Sequence, residues 1–173
     1  TLDVVAHYIV SDISTEYLSY FAPDTSLDDI IRKDNGLTYG VGFYISNISG
    51  VPFLIFSCDV EKGNEKLLLS LFKESINRTV DSFTIDKYNT YMETVKLNRN
   101  LELLNQKCYT SLFEEAIWYS DSLKILENTL SLNIDSVYQI LDNEVCSYDN
   151  MLNYFNKVKE CVNNNDYSIV TNY

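Results

Sequence analysis

Alternation of large apolar residues with mostly small or polar ones over 37–46 is the feature that most constrains the fold of this chain. The odd positions carry large side chains, namely Leu37, Tyr39, Val41, Phe43 and Ile45. Side chains of a β-strand point to opposite faces with a period of two, so one face of this segment is predicted to be buried. Turn-like residues at 47–50 lead into a second apolar run over 51–58. The two segments are predicted to form an antiparallel hairpin.

The residues before the hairpin predict one strand and two short helices. Positions 3–10 are rich in β-branched side chains and are predicted to form a strand. Ser14 is predicted to cap a short helix, which Pro23 then terminates. Ser26 with Asp29 has the pattern of a variant capping box and is predicted to begin the next helix.

Helical periodicity dominates the chain after the hairpin. Apolar residues recur at spacings of three and four through 68–83, 88–108, 112–130, 137–141 and 151–162, and a final strand is predicted at 167–170. The sequence therefore predicts an α+β fold, in which a small antiparallel sheet with a central hairpin (about 37–46 and 51–58) packs on helices and precedes a largely helical C-terminal half. A single domain over 1–173 is expected, in which a mixed part (1–85) shares its core with a helical part (86–173).

The charge of the chain argues against two classes of partner. There are 25 acidic residues against 13 basic ones, and the formal net charge is −12. Nucleic acids and anionic membranes both attract basic groups, so neither is expected as a ligand. A basic protein partner is compatible with this surface, although charge of this size also simply keeps a protein soluble. Abundant Tyr and Asn with scarce Gly and Pro suggest an AT-rich genome, such as that of a virus or a parasite.

The cysteines leave the compartment open. Cys58, Cys108, Cys146 and Cys161 are widely spaced, and the chain has only one histidine. No zinc site and no cofactor is therefore predicted. Cys58 lies in the apolar strand, and Cys108 and Cys161 are predicted on apolar helical faces, where a free cysteine behaves as a small hydrophobic residue. Reduced cysteines in an intracellular protein are therefore the favoured interpretation. Two disulfides in a secreted protein are the alternative, which gains some support from glycosylation motifs at Asn47 and Asn77.

No coherent catalytic set is visible in the sequence. His7 is the only histidine, so a serine or cysteine nucleophile would have to use it as its base. Cys58, beside Asp59, is the one candidate nucleophile for that pairing, and Thr1 would be a second if its own α-amine served as the base. The acidic pairs match no metal-binding loop. The sequence thus predicts no catalytic residue and no metal ligand.

An unusual aromatic residue suggests a binding surface. The helix predicted over 112–130 already has one apolar face, and Trp118 lies off that face, near Ile117 and Ile125. A helix with two apolar faces is either deeply buried or carries a binding surface, and Trp is enriched at interfaces. Trp118, Ile117 and Ile125 are therefore the candidate binding residues.

These observations predict a non-enzymatic protein–protein interaction or assembly protein, acidic and part of a complex or a homo-oligomer. Two alternatives stay open. The first is a secreted or surface protein of a virus or parasite that binds a host molecule. The second is a hydrolase with Thr1 or Cys58 as its nucleophile.

Overall fold

The computed structural model describes residues 4–48, 51–104, 114, 116–118 and 133–171. Its helices and strands, in chain order, are α1 (Val4–Glu16), π1 (Tyr17–Phe21), π2 (Asp28–Asp34), β1 (Val41–Ile48), β2 (Val51–Cys58), α2 (Glu65–Asp81), α3 (Ile85–Leu103), α4 (Ile134–Ile140), π3 (Leu141–Val145) and α5 (Tyr148–Asn164). The segments π1, π2 and π3 are π-helical turns, in which a backbone N–H donates to the carbonyl of the fifth preceding residue. The fold is α+β with one small antiparallel hairpin followed by helices, as the sequence predicts.

The chain divides into two compact units. The first comprises Thr1–Val10 with Thr84–Asn150, and the second comprises Ser11–Phe83 with Met151–Tyr173. The second unit contains the hairpin. The expectation of a single shared core stays a prediction.

The hairpin is confirmed, and β1 begins later than the alternation indicates. The register runs from the pair Val41–Cys58 to the pair Ile48–Val51, so β2 coincides with the predicted 51–58. Residues 37–40 have no partner in this register, because β2 ends at Cys58. Tyr39, which the alternation predicted to be buried, is instead fully exposed, with a relative exposure of 105%.

One face of the hairpin packs on α2, as predicted. Val41 and Phe43 are only 6% and 7% exposed. The ring of Phe56 stacks on that of Phe72 with centroids 4.4 Å apart, and Phe43 meets Phe72 edge-on at 5.8 Å. Aromatic pairs in these arrangements add about 0.5–1.5 kcal/mol each beyond the burial of their area.

The strand predicted at 3–10 is wrong, because residues 4–10 lie in α1. The β-branched residues favour a strand locally, but the buried positions continue past residue 10 with helical spacing. They are Ala6, Ile9, Val10, Ser14, Tyr17 and Leu18. The apolar stripe therefore overrides the local preference. Ser14, predicted as a helix cap, lies inside this helix and caps nothing.

Only half of the capping box predicted for the next helix is present, because the Ser26 N–H donates to the Ala22 carbonyl at 3.0 Å rather than to the Asp29 carboxylate. The backbone N–H of Asp29 donates to the Ser26 hydroxyl at 3.1 Å, which satisfies one of the unpaired donors at the helix start. The helix ends where Gly36 adopts a φ of +58°, a left-handed conformation that glycine tolerates well.

Three aromatic rings centre the core of the second unit. Tyr17 meets Phe83 edge-on at 5.2 Å, and Phe83 meets Phe155 at 4.7 Å. A few residues after Tyr17, the Thr25 carbonyl accepts hydrogen bonds from the hydroxyls of Ser75 and Thr79, at 2.7 and 2.8 Å. The loop that follows π1 is therefore tied to α2 by buried hydrogen bonds.

Two predictions near the C-terminus are wrong. Residues 167–170, predicted as a strand, lie in no helix and no sheet of the described chain. Cys161, predicted on the apolar face of its helix, is exposed, whereas Met151, Phe155, Val158 and Val162 form the buried stripe of α5. The Asn165 φ of +57° and the bond from the Asp166 N–H to the Cys161 carbonyl end this helix in a Schellman motif.

Candidate functional site

The predicted binding residues are only partly within the described chain. Ala116, Ile117 and Trp118 are helical; Ala116 is fully buried, whereas Ile117 and Trp118 are 38% and 49% exposed. Ile125 lies outside the described residues, as does most of the helix predicted over 112–130. These three binding residues therefore stay a prediction.

The hairpin offers a second apolar surface, and its base is held firmly. The Tyr20 hydroxyl donates to the Val41 carbonyl at 2.7 Å, and the Ser19 hydroxyl lies 3.5 Å from the Phe43 carbonyl. Both donors belong to π1, so this segment fastens the start of β1. Burial then decreases along the hairpin from Val41 toward Ile48.

The face of the hairpin that points away from α2 is apolar and exposed. Cross-strand partners share a face, and the register pairs Tyr44 with Ile55 and Ile48 with Val51, with Phe53 opposite Ser46. We call the five apolar members of this face, Tyr44, Ile48, Val51, Phe53 and Ile55, the ribbon face. Four of them are 45–53% exposed, and Ile55 is half-buried.

The ribbon face belongs to the longest charge-free segment of the chain. Residues 35–58 contain no Asp, Glu, Lys, Arg or His, although the chain carries a net charge of −12. Monomeric proteins usually protect an exposed strand with charged side chains. This absence of charge is visible in the sequence, whereas the alternation by itself predicts only that one face of the strand is buried.

The outer edge of β2 is unpaired within the described residues, because the sheet there has only two strands. Pro52 lies in this strand and has no N–H to donate. Gly42 faces Ser57 across the ribbon, and a Cβ at this position would lie 2.7 Å from the Ser57 hydroxyl oxygen. The glycine thus permits a close cross-strand approach of the Ser57 side chain.

Of the two candidate nucleophiles, Cys58 is described by the structure, and it gains little from its surroundings. Thr1 lies outside the described residues. Burial raises the pKa of the Cys58 thiol, with Asp59 adding to the effect, whereas reactive cysteines have a lowered pKa. His7 lies on α1 rather than on a strand. The arrangement around Cys58 therefore favours a structural thiol.

Two acidic residues of the described chain, Asp142 and Asp28, are engaged with arginines. The Asp142 carboxylate accepts hydrogen bonds from both terminal nitrogens of Arg99, at 2.9 and 3.0 Å. The Arg99 guanidinium also lies 4.0 Å from the centroid of the Tyr138 ring. Asp28 is paired in the same two-pronged way with Arg32, and this bond holds the pKa of the carboxyl below its usual value. In the described part of the chain, no group of three or more His, Cys, Asp and Glu side chains is placed to hold a metal ion.

The secreted alternative gains no support from Asn77 or from the described cysteines. Asn77 lies within α2, and Thr79, which completes its glycosylation motif, is buried. Cys58, Cys146 and Cys161 carry thiols with no disulfide among them. Cys108 lies outside the described residues.

A search for membrane-spanning segments among the described helices finds none of sufficient length and apolar character. Comparison of the sequence with protein-family models gives no match, and comparison with curated proteins gives no significant match.

Proposed function

We propose that this chain is a non-enzymatic protein–protein interaction or assembly protein that binds its partner through the ribbon face. The observation that carries the proposal is an exposed apolar surface without charged side chains, on a chain whose net charge is −12. Contiguous apolar patches on soluble proteins commonly mark interaction sites. Aromatic anchors such as Tyr44 and Phe53 are enriched among the residues that dominate binding energy.

The way in which the ribbon is held also supports a binding role. Its base is fixed by Phe72 and by the Tyr20 hydroxyl, so the part of the ribbon face next to the base is presented on a rigid support. A surface that is ordered before binding loses less conformational entropy when a partner docks. Trp118 and Ile117 are proposed as a second contact surface of the same kind.

A photo-crosslinking experiment tests this function. A benzophenone amino acid placed at position 53 is expected to form discrete protein adducts on irradiation, because the ribbon face is covered in the complex. The same group at exposed Leu97, on α3, is the matched control and is expected to form few. Adducts that are absent at position 53, in a protein whose circular dichroism matches that of the unmodified chain, would contradict the proposal.

A further inference from the structure

We propose that Asn35, at the end of π2, is a site of spontaneous deamidation that the folded chain keeps unreactive and that becomes reactive when the last turn of π2 opens. Asn35 is the only asparagine of the sequence that precedes a glycine. Glycine carries no side chain to shield its backbone nitrogen, and its backbone reaches conformations that other residues avoid. Both Asn35 and Gly36 are exposed, so water reaches the site.

The reaction begins with attack of the Gly36 backbone nitrogen on the side-chain carbonyl carbon, Cγ, of Asn35. A bond forms between this nitrogen and Cγ, and the bond between Cγ and Nδ2 breaks. The proton of the Gly36 N–H leaves with Nδ2, so ammonia is released and a five-membered succinimide ring remains. Water then adds to one of the two ring carbonyls and reopens the ring, which leaves aspartate or isoaspartate at position 35.

The folded structure opposes this attack in three ways. The Asn35 Nδ2 donates to the Ile30 carbonyl at 2.7 Å, which holds the side chain in place. The Gly36 N–H donates to the Arg32 carbonyl at 2.9 Å, which retains the proton that the attack must remove. The five-membered ring also needs Cβ, Cα and C of Asn35 to lie nearly coplanar with the Gly36 nitrogen. The Asn35 ψ of −12° turns that nitrogen well out of this plane.

All three restraints belong to the last turn of π2, so the opening of this turn is expected to control the reaction. The next residue, Leu37, donates its N–H to the Ile31 carbonyl at 3.1 Å, and this bond continues the same turn. Ends of helices open locally at a lower free energy than the whole fold, especially where the backbone is exposed. Deamidation at Asn35 therefore records each opening of this turn irreversibly.

The product is expected to weaken the end of π2. A carboxylate at position 35 cannot donate to the Ile30 carbonyl, so the hydrogen bond of the Asn35 amide is lost. The new negative charge also lies at the C-terminal end of a helix, where the helix dipole favours cations. Isoaspartate adds one backbone atom and shifts the Gly36 N–H away from the Arg32 carbonyl. Either product places a charge at the start of the charge-free segment 35–58.

Peptide mapping by mass spectrometry tests the site on the full chain. The protein is incubated in mildly alkaline buffer, both folded and unfolded in guanidinium chloride, and the fraction deamidated at Asn35 is followed with time. We expect the reaction to be about ten-fold or more slower in the folded chain, because only the opened turn reacts. Equal rates in the two states would overturn protection by the fold. No deamidation at Asn35 in the unfolded chain would overturn the site itself.

Two variants distinguish local opening from unfolding of the whole chain. Ser26→Ala removes the hydroxyl that accepts the Asp29 N–H at the start of π2, and it is expected to accelerate deamidation of the folded chain several-fold. Asn133→Ala removes the equivalent cap of α4, where the Asn133 side chain accepts the Asp135 N–H at 3.0 Å, and is the matched control. Its rate is expected to stay within about two-fold of the original. Equal acceleration by both substitutions would overturn control by the last turn of π2.

Asn35→Asp tests the consequence of the reaction without waiting for it. The folding equilibrium constant of this variant, measured by urea denaturation, is expected to be about five-fold lower than that of the original chain. Asn153→Asp adds the same charge at an exposed position of α5, away from the end of that helix, and is expected to change the constant by less than about two-fold. Equal effects of the two substitutions would overturn the weakening of π2 by the product.

Discussion

Ser14 is a buried residue of α1 whose hydroxyl has no hydrogen-bond partner among the described residues. A buried polar group without a partner loses its hydration and gains nothing in return. We expect Ser14→Ala to raise the free energy of unfolding by about 1 kcal/mol, because it removes this group and improves helix propensity. Urea denaturation measures the change.

Ser19 provides the matched control for this substitution. It is equally buried, but its hydroxyl donates to the Thr15 carbonyl at 2.7 Å. Ser19→Ala is therefore expected to leave stability unchanged or to lower it by about 1 kcal/mol. Equal effects of the two substitutions would show that the unpaired hydroxyl of Ser14 does not matter.

Tyr17 links burial to stability at high pH. Burial raises the pKa of its phenol from 10.0 to about 12. Between these values the unfolded chain ionises while the folded one does not, so the stability present below pH 10 is lost as the pH rises toward 12. We expect the free energy of unfolding to fall by up to about 1.4 kcal/mol per pH unit from this group.

Tyr17→Phe tests this dependence. The variant is expected to lose stability less steeply than the original protein over the same alkaline range, since one ionising group has been removed. Tyr154, whose pKa burial also raises to about 12, contributes in the same sense and stays in place. Parallel curves for variant and original protein, measured by urea denaturation at a series of pH values, would count against the role of Tyr17.

At the scale of elements, a buried ion pair joins α3 to π3 in the first unit. Arg99 binds Asp142 with two hydrogen bonds, and both side chains are largely buried. Removing one partner leaves the other as an uncompensated charge, so Arg99→Met is expected to lower the free energy of unfolding by about 3 kcal/mol.

The exposed pair of Arg78 and Glu74 on α2 is the control for this prediction. Both of its side chains are about half exposed, so Arg78→Met is expected to change the free energy of unfolding by less than about 1 kcal/mol. Thermal or urea unfolding of the two variants gives the comparison. Similar losses would contradict the argument from burial.

Local determinants explain which elements could be predicted from the sequence. The apolar run of β2 and the stripe of α2 are contained within their own residues, and both predictions are confirmed. The strand predicted at 3–10 failed because its β-branched residues outweighed a helical stripe that only becomes clear beyond residue 10. Tyr39 failed because its partner strand ends too early, which is a property of another segment.

The ribbon face could be predicted only in part. Its freedom from charge is visible in the sequence, and so is the apolar character of β2. This face is exposed because the sheet of the described chain has only two strands. Whether further strands join a sheet depends on distant parts of the chain, so no local sequence pattern predicts it. For Trp118 the residue type itself predicts a binding role, because Trp is enriched at protein interfaces. The ribbon face, in contrast, is recognised only from its exposure in the structure.

At the scale of the whole molecule, the net charge of −12 means that any association between two copies of this chain would depend on salt. Repulsion between two acidic chains is screened as ionic strength rises, whereas apolar contact is not weakened. We expect the dissociation constant of any such self-association to fall several-fold between about 0.02 M and about 0.5 M NaCl. Sedimentation equilibrium measures it. An affinity that decreases with salt would indicate attraction between opposite charges instead.

The decrease in burial from the base of the hairpin to its end implies an order of local opening. Strand pairs near Ile48 and Val51 have little packed against them, whereas those near Val41 and Phe43 are held between π1 and α2. Backbone amides are expected to exchange with deuterium first at the tip and last at the base, because local opening costs less free energy where fewer side chains are packed. A partner that binds the tip is expected to slow amide exchange there, so the exchange rates of single residues would show where the partner binds.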